Sequence, residues 1–326
     1  MRILILGGSG FVGLPLAESL LAQGHAVTAT SRSGREGPLR KQDMTYARWD
    51  GMDSGQLAPL LAACDAVINL VGENIGGGRW TPPRRQSIVQ SRCFAGESLV
   101  RALTLLRAEE KALPRTLLQA SACGYYGLWE DADTAPLCTE ASPQGQGFLA
   151  DTCAAWEKST ESVDDFGVRR CIVRLAPVLG RVFSPACAYP CGPAGGFLAR
   201  MLPPFRYYLG GPAGSGKQPF SWVHMDDVCG MLHLLLQRED AHGIYNVCSP
   251  YPETMDHFAV ALGHVLRRPS LLYAPAPVLR LVFGQMAEEL ILSGQKVVPQ
   301  RIEELGYVFR YPRVDMALRQ VLESGA

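Results

Sequence analysis

The stretch LILGGSGFVG, residues 4–13, constrains this chain's fold more than any other. It sets Gly7, Gly10 and Gly13 in a G-x-x-G-x-x-G pattern. The pattern directly follows the apolar, strand-like run RILIL and opens the helically patterned GLPLAESLLAQG, which Gly24 closes. Three glycines alone are a weak signal; between a strand and a helix they predict a phosphate loop. The glycines allow a tight turn and a close backbone approach to a pyrophosphate, and the helix N-terminus presents free N–H groups and a positive dipole end. Gly7, Ser9, Gly10, Phe11, Val12 and Gly13 are therefore the first candidate cofactor contacts. The bland alternative is a tight β–α turn that binds nothing.

The same alternation continues downstream. AVTATS, DAVINLVG, RTLLQASA and RRCIVRLAPVLG read as strands. QSRCFAGESLVRALTLL and DTCAAWEKSTESVDDF read as helices. Near-continuous apolar strands separated by helices imply a parallel sheet covered on both faces, a Rossmann-type doubly wound α/β fold. After residue 180 the pattern changes to the Pro/Gly-rich RVFSPACAYPCGPAGG, read as an irregular insertion. From about residue 255 the chain is mainly helical. We expect a cofactor-binding Rossmann domain over 1–180 plus about 218–248. A smaller, mainly helical substrate and C-terminal lobe takes about 181–217 and 249–326.

Composition excludes several partners. With 31 basic and 31 acidic residues the net charge is zero, which argues against nucleic acid or an anionic membrane as partner. No window approaches ~20 uninterrupted apolar residues, and the first apolar run is too short for a signal peptide, so a cytoplasmic protein is expected. The ten cysteines are scattered through predicted helices and strands, as small buried hydrophobes would be. Cys187 and Cys191 lack a second His or Cys pair at zinc spacing, so no metal is expected.

The end of the second strand, TATSRSGRE, carries Thr30, Ser31 and Arg32 and no acid before Glu36. An NAD site would place Asp or Glu there for the ribose hydroxyls; an arginine suits a 2′-phosphate instead. This favours NADP(H) over NAD(H), through Ser31 and Arg32, with Arg35 able to take the same role. Leu70, Val71, Gly72, Leu175 and Val178, at later strand ends, complete the candidate cofactor contacts. GPAGSGKQ, residues 211–218, comes within one residue of a triphosphate loop, but Gln218 sits in the magnesium slot and strand-like PFSWVH follows.

Several longer stretches carry a resemblance. SWVHMDD (221–227) is similar to a W-x-H-x-x-D segment, and RLAPVLG (174–180) to an R-x-x-x-V-x-G turn, of the extended short-chain dehydrogenase/reductase superfamily. GENIGGGRW (72–80), SACGYYG (121–127), FLADTCAAWE (148–157) and residues 201–227 resemble one atypical subgroup, described as sugar-nucleotide-epimerase-like or cell-division-inhibitor-like. The tail, about 275–322, resembles that subgroup's helical C-terminal module of unassigned function. The resemblance implies an NADP-binding fold, and homodimers are frequent among extended members. In the wider superfamily a Ser, Tyr and Lys act together: serine orients the substrate, tyrosine moves a proton, and lysine lowers the tyrosine pKa and holds the nicotinamide ribose. Ser121 aligns with the serine. The Tyr and Lys slots hold Leu149 and Cys153, which excludes the usual mechanism.

Tyr125 or Tyr126, on the loop after the same strand, could replace the missing phenol, or could simply pack. Glu73 could act as base or bind a hydroxyl, with Asn74 and Arg79 toward substrate, or the three could form a salt-bridged loop. His224 reads as a helix cap in HMDD, and Trp80, Trp156 and Trp222 as packing. Two functions follow. One is an NADP-dependent oxidoreductase or epimerase on a small polar, sugar-like substrate. The other is a non-catalytic NADPH-sensing module with a protein partner.

Overall fold

The computed structural model describes residues 1–33, 39, 42–182 and 195–323. Seven strands make the central sheet: β1 (Arg2–Leu6), β2 (Ala26–Ser31), β3 (Met44–Arg48), β4 (Ala66–Asn69), β5 (Thr116–Ala122), β6 (Arg169–Leu175) and β7 (Gly243–Val247). All neighbours are parallel, in the order β3-β2-β1-β4-β5-β6-β7. The order reverses between β1 and β4, and the crevice at such a reversal, above the carboxyl ends of the strands, is where this architecture binds ligands.

Helices cover both faces: α1 (Gly13–Ala22), α2 (Ser54–Ala62), α3 (Pro82–Ala108), α4 (Phe148–Lys158) and α6 (Met225–Gln237). Strand β1 shows why its sequence is apolar without alternation. Ile3 and Ile5 join Leu16 and Leu20 of α1 and Val228 and Leu232 of α6 in one core. Leu4 and Leu6 turn the other way, to Leu57 and Leu61 of α2 and Leu99 and Leu103 of α3. Local signals start the helices: Asp53 accepts from the N–H groups of Gly55 and Gln56 ahead of α2, and Thr81 caps α3 with Pro82 at its first position.

Strand β3 has no counterpart in the sequence reading. MTYAR lies at the sheet edge with no fully buried residue, so it lacks the apolar run that marks its neighbours. Most of the Pro/Gly-rich stretch, with Cys187 and Cys191, lies outside the described residues. A helix the sequence reading did not anticipate, α5 (Gly196–Arg206), follows it and holds Pro203 and Pro204 near its end. PFSWVH forms two two-residue strands, 219–220 and 223–224.

Beyond β7 come α7 (Met255–Leu266), α8 (Ala276–Phe283), α9 (Gln285–Leu290), α10 (Gln300–Glu304) and α11 (Val314–Glu323). Leu198, Phe205, Trp222, Phe258 and Leu318 form a core joining α5, α7 and α11. Met286 of α9 packs with Trp80, Ile88 and Leu149, so the C-terminal segment closes over α3, α4 and the loop before α3.

Candidate functional site

The glycine loop has the geometry its spacing predicts. Gly7 takes φ +75°, a conformation costly for residues with a Cβ. Its N–H donates to Thr30 Oγ1 at 3.2 Å, and the Gly10 N–H donates to the Gly7 carbonyl at 3.0 Å. A Cβ on Gly13 would lie 2.7 Å from the Gly8 Cα, so glycine is what lets α1 start directly on the turn. No side chain caps α1, its first turn holds no acid, and the N–H groups of Ser9, Phe11 and Val12 have no backbone acceptor among the described residues. These donors and the glycine cradle fit the diphosphate of a dinucleotide.

At the end of β2, Ser31 and Arg32 follow Thr30, and Arg32 is exposed. Arg35 and Glu36 lie outside the described residues. The fold adds a cation not singled out in the sequence: Arg48, the last residue of β3, is in register with Ser31. Arg32 thus directly follows β2, and Arg48 ends the neighbouring strand at the same level.

Phe11 and Val12 of the glycine loop, with Leu70, Leu175, Val178 and Tyr125, are all partly buried on the rim of one core. Val71 packs on the opposite core, and Gly72 is exposed. Buried Asn69 shapes this strand end, taking the Val71 N–H on its Oδ1 at 3.1 Å and donating to Gln119 at 2.9 Å.

Beneath that rim lies a polar network. The Ser121 hydroxyl donates to Glu157 Oε1 at 2.6 Å. Arg174, 1% exposed, forks onto the same carboxylate with two 2.8 Å hydrogen bonds and donates to the Tyr126 oxygen at 3.0 Å. Tyr126 in turn donates to Asn246 Oδ1 at 2.6 Å. Burial works against the Arg174 charge, but Glu157 more than offsets it and the pKa rises. Burial also pushes the Tyr126 phenol up, against the pull of Arg174. Ser121 and Tyr126 are thus engaged inside the protein. Tyr125 is half-buried, with the Arg174 guanidinium carbon 3.4 Å from its ring centroid. An arginine directly after the buried apolar run Cys171–Val173 was the signal for this network; that Glu157 answers it was not visible.

Leu149 and Cys153 lie one turn apart on α4, both buried. Burial raises the Cys153 thiol to about 11, with Glu157 adding to the shift and Arg92, the Ala122 backbone and Ser121 opposing it. A thiol in that state is neither a fixed cation nor a ready nucleophile. The Glu73 carboxylate turns toward α3, paired with Arg84 at 3.0 Å and taking a hydrogen bond from Ser87. Asn74 Oδ1 closes a turn onto the Gly76 N–H at 3.0 Å, and its carbonyl accepts from Arg84. Exposed Arg79 rests against Gly284, between α8 and α9.

His224 caps α6, its Nδ1 accepting from the Asp226 N–H at 3.1 Å. Trp80, Trp156 and Trp222 are buried. The 211–218 loop runs into a strand, and Ser215, Gly216 and Lys217 share a cavity with Asp131, Asp133 and Asp256, whose charges repel a triphosphate. Among the described residues no group of three His, Cys, Asp or Glu side chains could hold a metal ion, and no helix is long and apolar enough to cross a membrane.

A seven-stranded parallel sheet, an uncapped helix behind a glycine cradle and the crevice between β1 and β4 define a protein of the NAD(P)-binding Rossmann class. The chain belongs to the NAD-dependent epimerase/dehydratase family, whose model matches residues 3–248, while 274–321 match a domain of unknown function, DUF1731. It is 34% identical over 327 residues to the human epimerase family protein SDR39U1, covering 99% of this chain and 100% of that protein. Bacillus subtilis epimerase family protein YfhF is 32% identical over 324 residues, covering 99% and 98%. Human SDR39U1 (isoform 2), solved with NADPH, superposes with a TM-score of 0.80 at 32% identity, covering 99% of both chains. The fold alone is shared with Thermus thermophilus UDP-glucose 4-epimerase, solved with NAD, at 17% identity and TM-score 0.74.

Proposed function

We propose that this protein binds NADP(H) in preference to NAD(H) and acts as an oxidoreductase or epimerase on a small polar substrate, without the Tyr-x-x-x-Lys pair. The observation that carries the reading is Arg32 directly after β2, where an NAD site would hold an acid, with Arg48 ending the neighbouring strand in register with Ser31. The NADPH bound by the human relative supports it. The α1 N–H groups hold the diphosphate, Arg32 and Arg48 the 2′-phosphate, and Leu70, Leu175 and Val178 exclude water from the nicotinamide. The cofactor supplies hydride transfer, which needs chiefly orientation from the protein.

Of the two phenols, Tyr125 serves as proton donor, because Tyr126 is engaged with Asn246 and Arg174. Ser121 positions α4 through Glu157. Exposed Arg79 and Asn74 face the substrate with the C-terminal lobe beyond them, in line with a division into 1–180 plus about 218–248 and the remainder. The eight described cysteines are free thiols, which supports a reducing, cytoplasmic setting. Glu73, turned onto Arg84, favours the second reading, a non-catalytic NADPH sensor.

Fluorescence titration with NADPH and NADH tests the cofactor reading. Wild type binds NADPH more tightly, and Arg32→Glu weakens NADPH about ten- to a hundredfold while changing NADH little, the worth of a charge-assisted phosphate contact. Equal affinity of wild type for the two cofactors would refute the preference. A bound pair that reduces no sugar-like carbonyl substrate in an absorbance screen would favour the sensor.

A further inference from the structure

Arg92 is placed where an arginine is hard to explain by packing. It sits on the apolar stripe of α3, one turn after Ile88 and just before Ala95 and Gly96, all three buried. Its guanidinium donates to two carbonyls, Ile88 at 2.9 Å and Glu73 at 3.1 Å, and lies 4.9 Å from the Trp156 ring centroid. Burial lowers its pKa, and Cys153 and Glu73 oppose that shift. Yet the Glu73 carboxylate is already joined to Arg84 and Ser87. The cation is therefore partly buried and met by neutral carbonyls, a state that keeps attraction for a further hydroxyl or anion.

Its surroundings fix which ligand that is. A Cβ on Gly72 would lie 3.0 Å from the guanidinium carbon, so this glycine, three residues past β4, opens the space the group occupies. Cys153, the α4 position where the superfamily's lysine would stand, lies one turn before Trp156 on the same helix, and the Arg92 charge acts on its thiol. Gly124, on the loop carrying Tyr125, abuts the same Cys153 sulfur and Leu149. Arg92 thus brings a cation from α3 to the turn of α4 that carries the vacated lysine position.

The geometry points to Arg92 as the cation of the nicotinamide end, contacting the nicotinamide ribose of bound NADP(H) from α3 in place of the absent lysine on α4. An arginine suits this better than a second lysine. It stays charged when buried, its fork holds the two carbonyls while leaving N–H groups for ribose hydroxyls, and its guanidinium carbon lies over the Trp156 ring. The inference rests on the cofactor reading above, so its test separates the two halves of the cofactor.

Wild type, Arg92→Met and Arg92→Gln are titrated by calorimetry with NADPH and with adenosine 2′,5′-bisphosphate, which lacks the nicotinamide ribose. Arg92→Met weakens NADPH about tenfold, as expected for hydrogen bonds from a charged donor, and leaves the bisphosphate within about twofold. Arg92→Gln keeps a donor for the Ile88 and Glu73 carbonyls but loses the charge, and it decides the matter if the methionine variant does not fold. Unchanged NADPH affinity, or equal weakening of both ligands, overturns the inference and leaves Arg92 a staple between α3 and the 73 loop. Wild type binding neither ligand overturns the cofactor reading instead.

Discussion

Arg174 sits in the middle of a sheet, 1% exposed, and is tolerated there because Glu157 meets it with two hydrogen bonds. Breaking a buried pair from one side costs more than the pair contributes, since the remaining charge has no solvent. Glu157→Ala strands the guanidinium and also frees the Ser121 hydroxyl; denaturant unfolding should show a loss of about 3 kcal/mol or more. Glu157→Gln, which keeps one acceptor, should lose less. A loss under about 1 kcal/mol for the alanine variant would mean that solvent reaches the site. The strand position of Ser121 was legible from residue order, and the replacements Leu149 and Cys153 from the resemblance to the superfamily. What Ser121 bonds was not, because β5, β6 and α4 meet only in the fold. Neither could the sequence separate two adjacent tyrosines, one held by Asn246 and the other under a guanidinium.

At the scale of the element, α4 is the helix whose start matters most, since it carries the two altered slots. Gly147 at its N-cap has no side chain to offer, and nothing local accepts from its first turn. The acceptor comes from α9: Glu289, 4% exposed, takes the N–H groups of Phe148 at 3.1 Å and Leu149 at 2.8 Å and is steadied by Gln285 at 2.7 Å. A carboxylate at a helix N-terminus also meets the positive dipole end. Glu289→Ala should therefore destabilise by about 1–2 kcal/mol, the range of a lost N-cap, and hydrogen exchange should quicken at Phe148 and Leu149 before the rest of α4. Uniform exchange along α4 would deny the cap its role. The helical pattern of α4 was readable in sequence; a cap supplied from 140 residues away was not. Strand β3 escaped notice for the opposite reason, a half-exposed edge with no pattern to read.

At the scale of the whole molecule, the C-terminal segment is docked through buried polar groups on α6. Asp227 accepts from the Tyr307 hydroxyl at 3.0 Å and from the N–H groups of Arg310 and Tyr311 at 2.8 and 3.0 Å. His224 joins its Nε2 to Gln320 Oε1 at 2.8 Å, its ring 4.0 Å from that of Tyr311. With Nδ1 accepting from the Asp226 N–H, the ring is the neutral Nε2–H form. Burial lowers its pKa below the ordinary 6.5, Asp226, Gln320 and Asp227 pulling the other way and Arg310 adding to the shift. Burial likewise lowers His25 and His233, which face each other at 3.3 Å. The sign follows. Above about 6.5 neither the folded nor the unfolded chain protonates these rings, and their contribution is fully present. As pH falls below 6.5 the unfolded chain takes up protons the folded one refuses, and stability is lost down to the lowered pKa, at up to about 1.4 kcal/mol per pH unit for a ring such as His224. Thermal midpoints between pH 7.5 and 5 should fall, and His224→Gln, which keeps an acceptor for the Asp226 N–H, should flatten that slope. A slope unchanged by the substitution would show that the acid sensitivity arises elsewhere and that the α6–α11 contact is not what titrates.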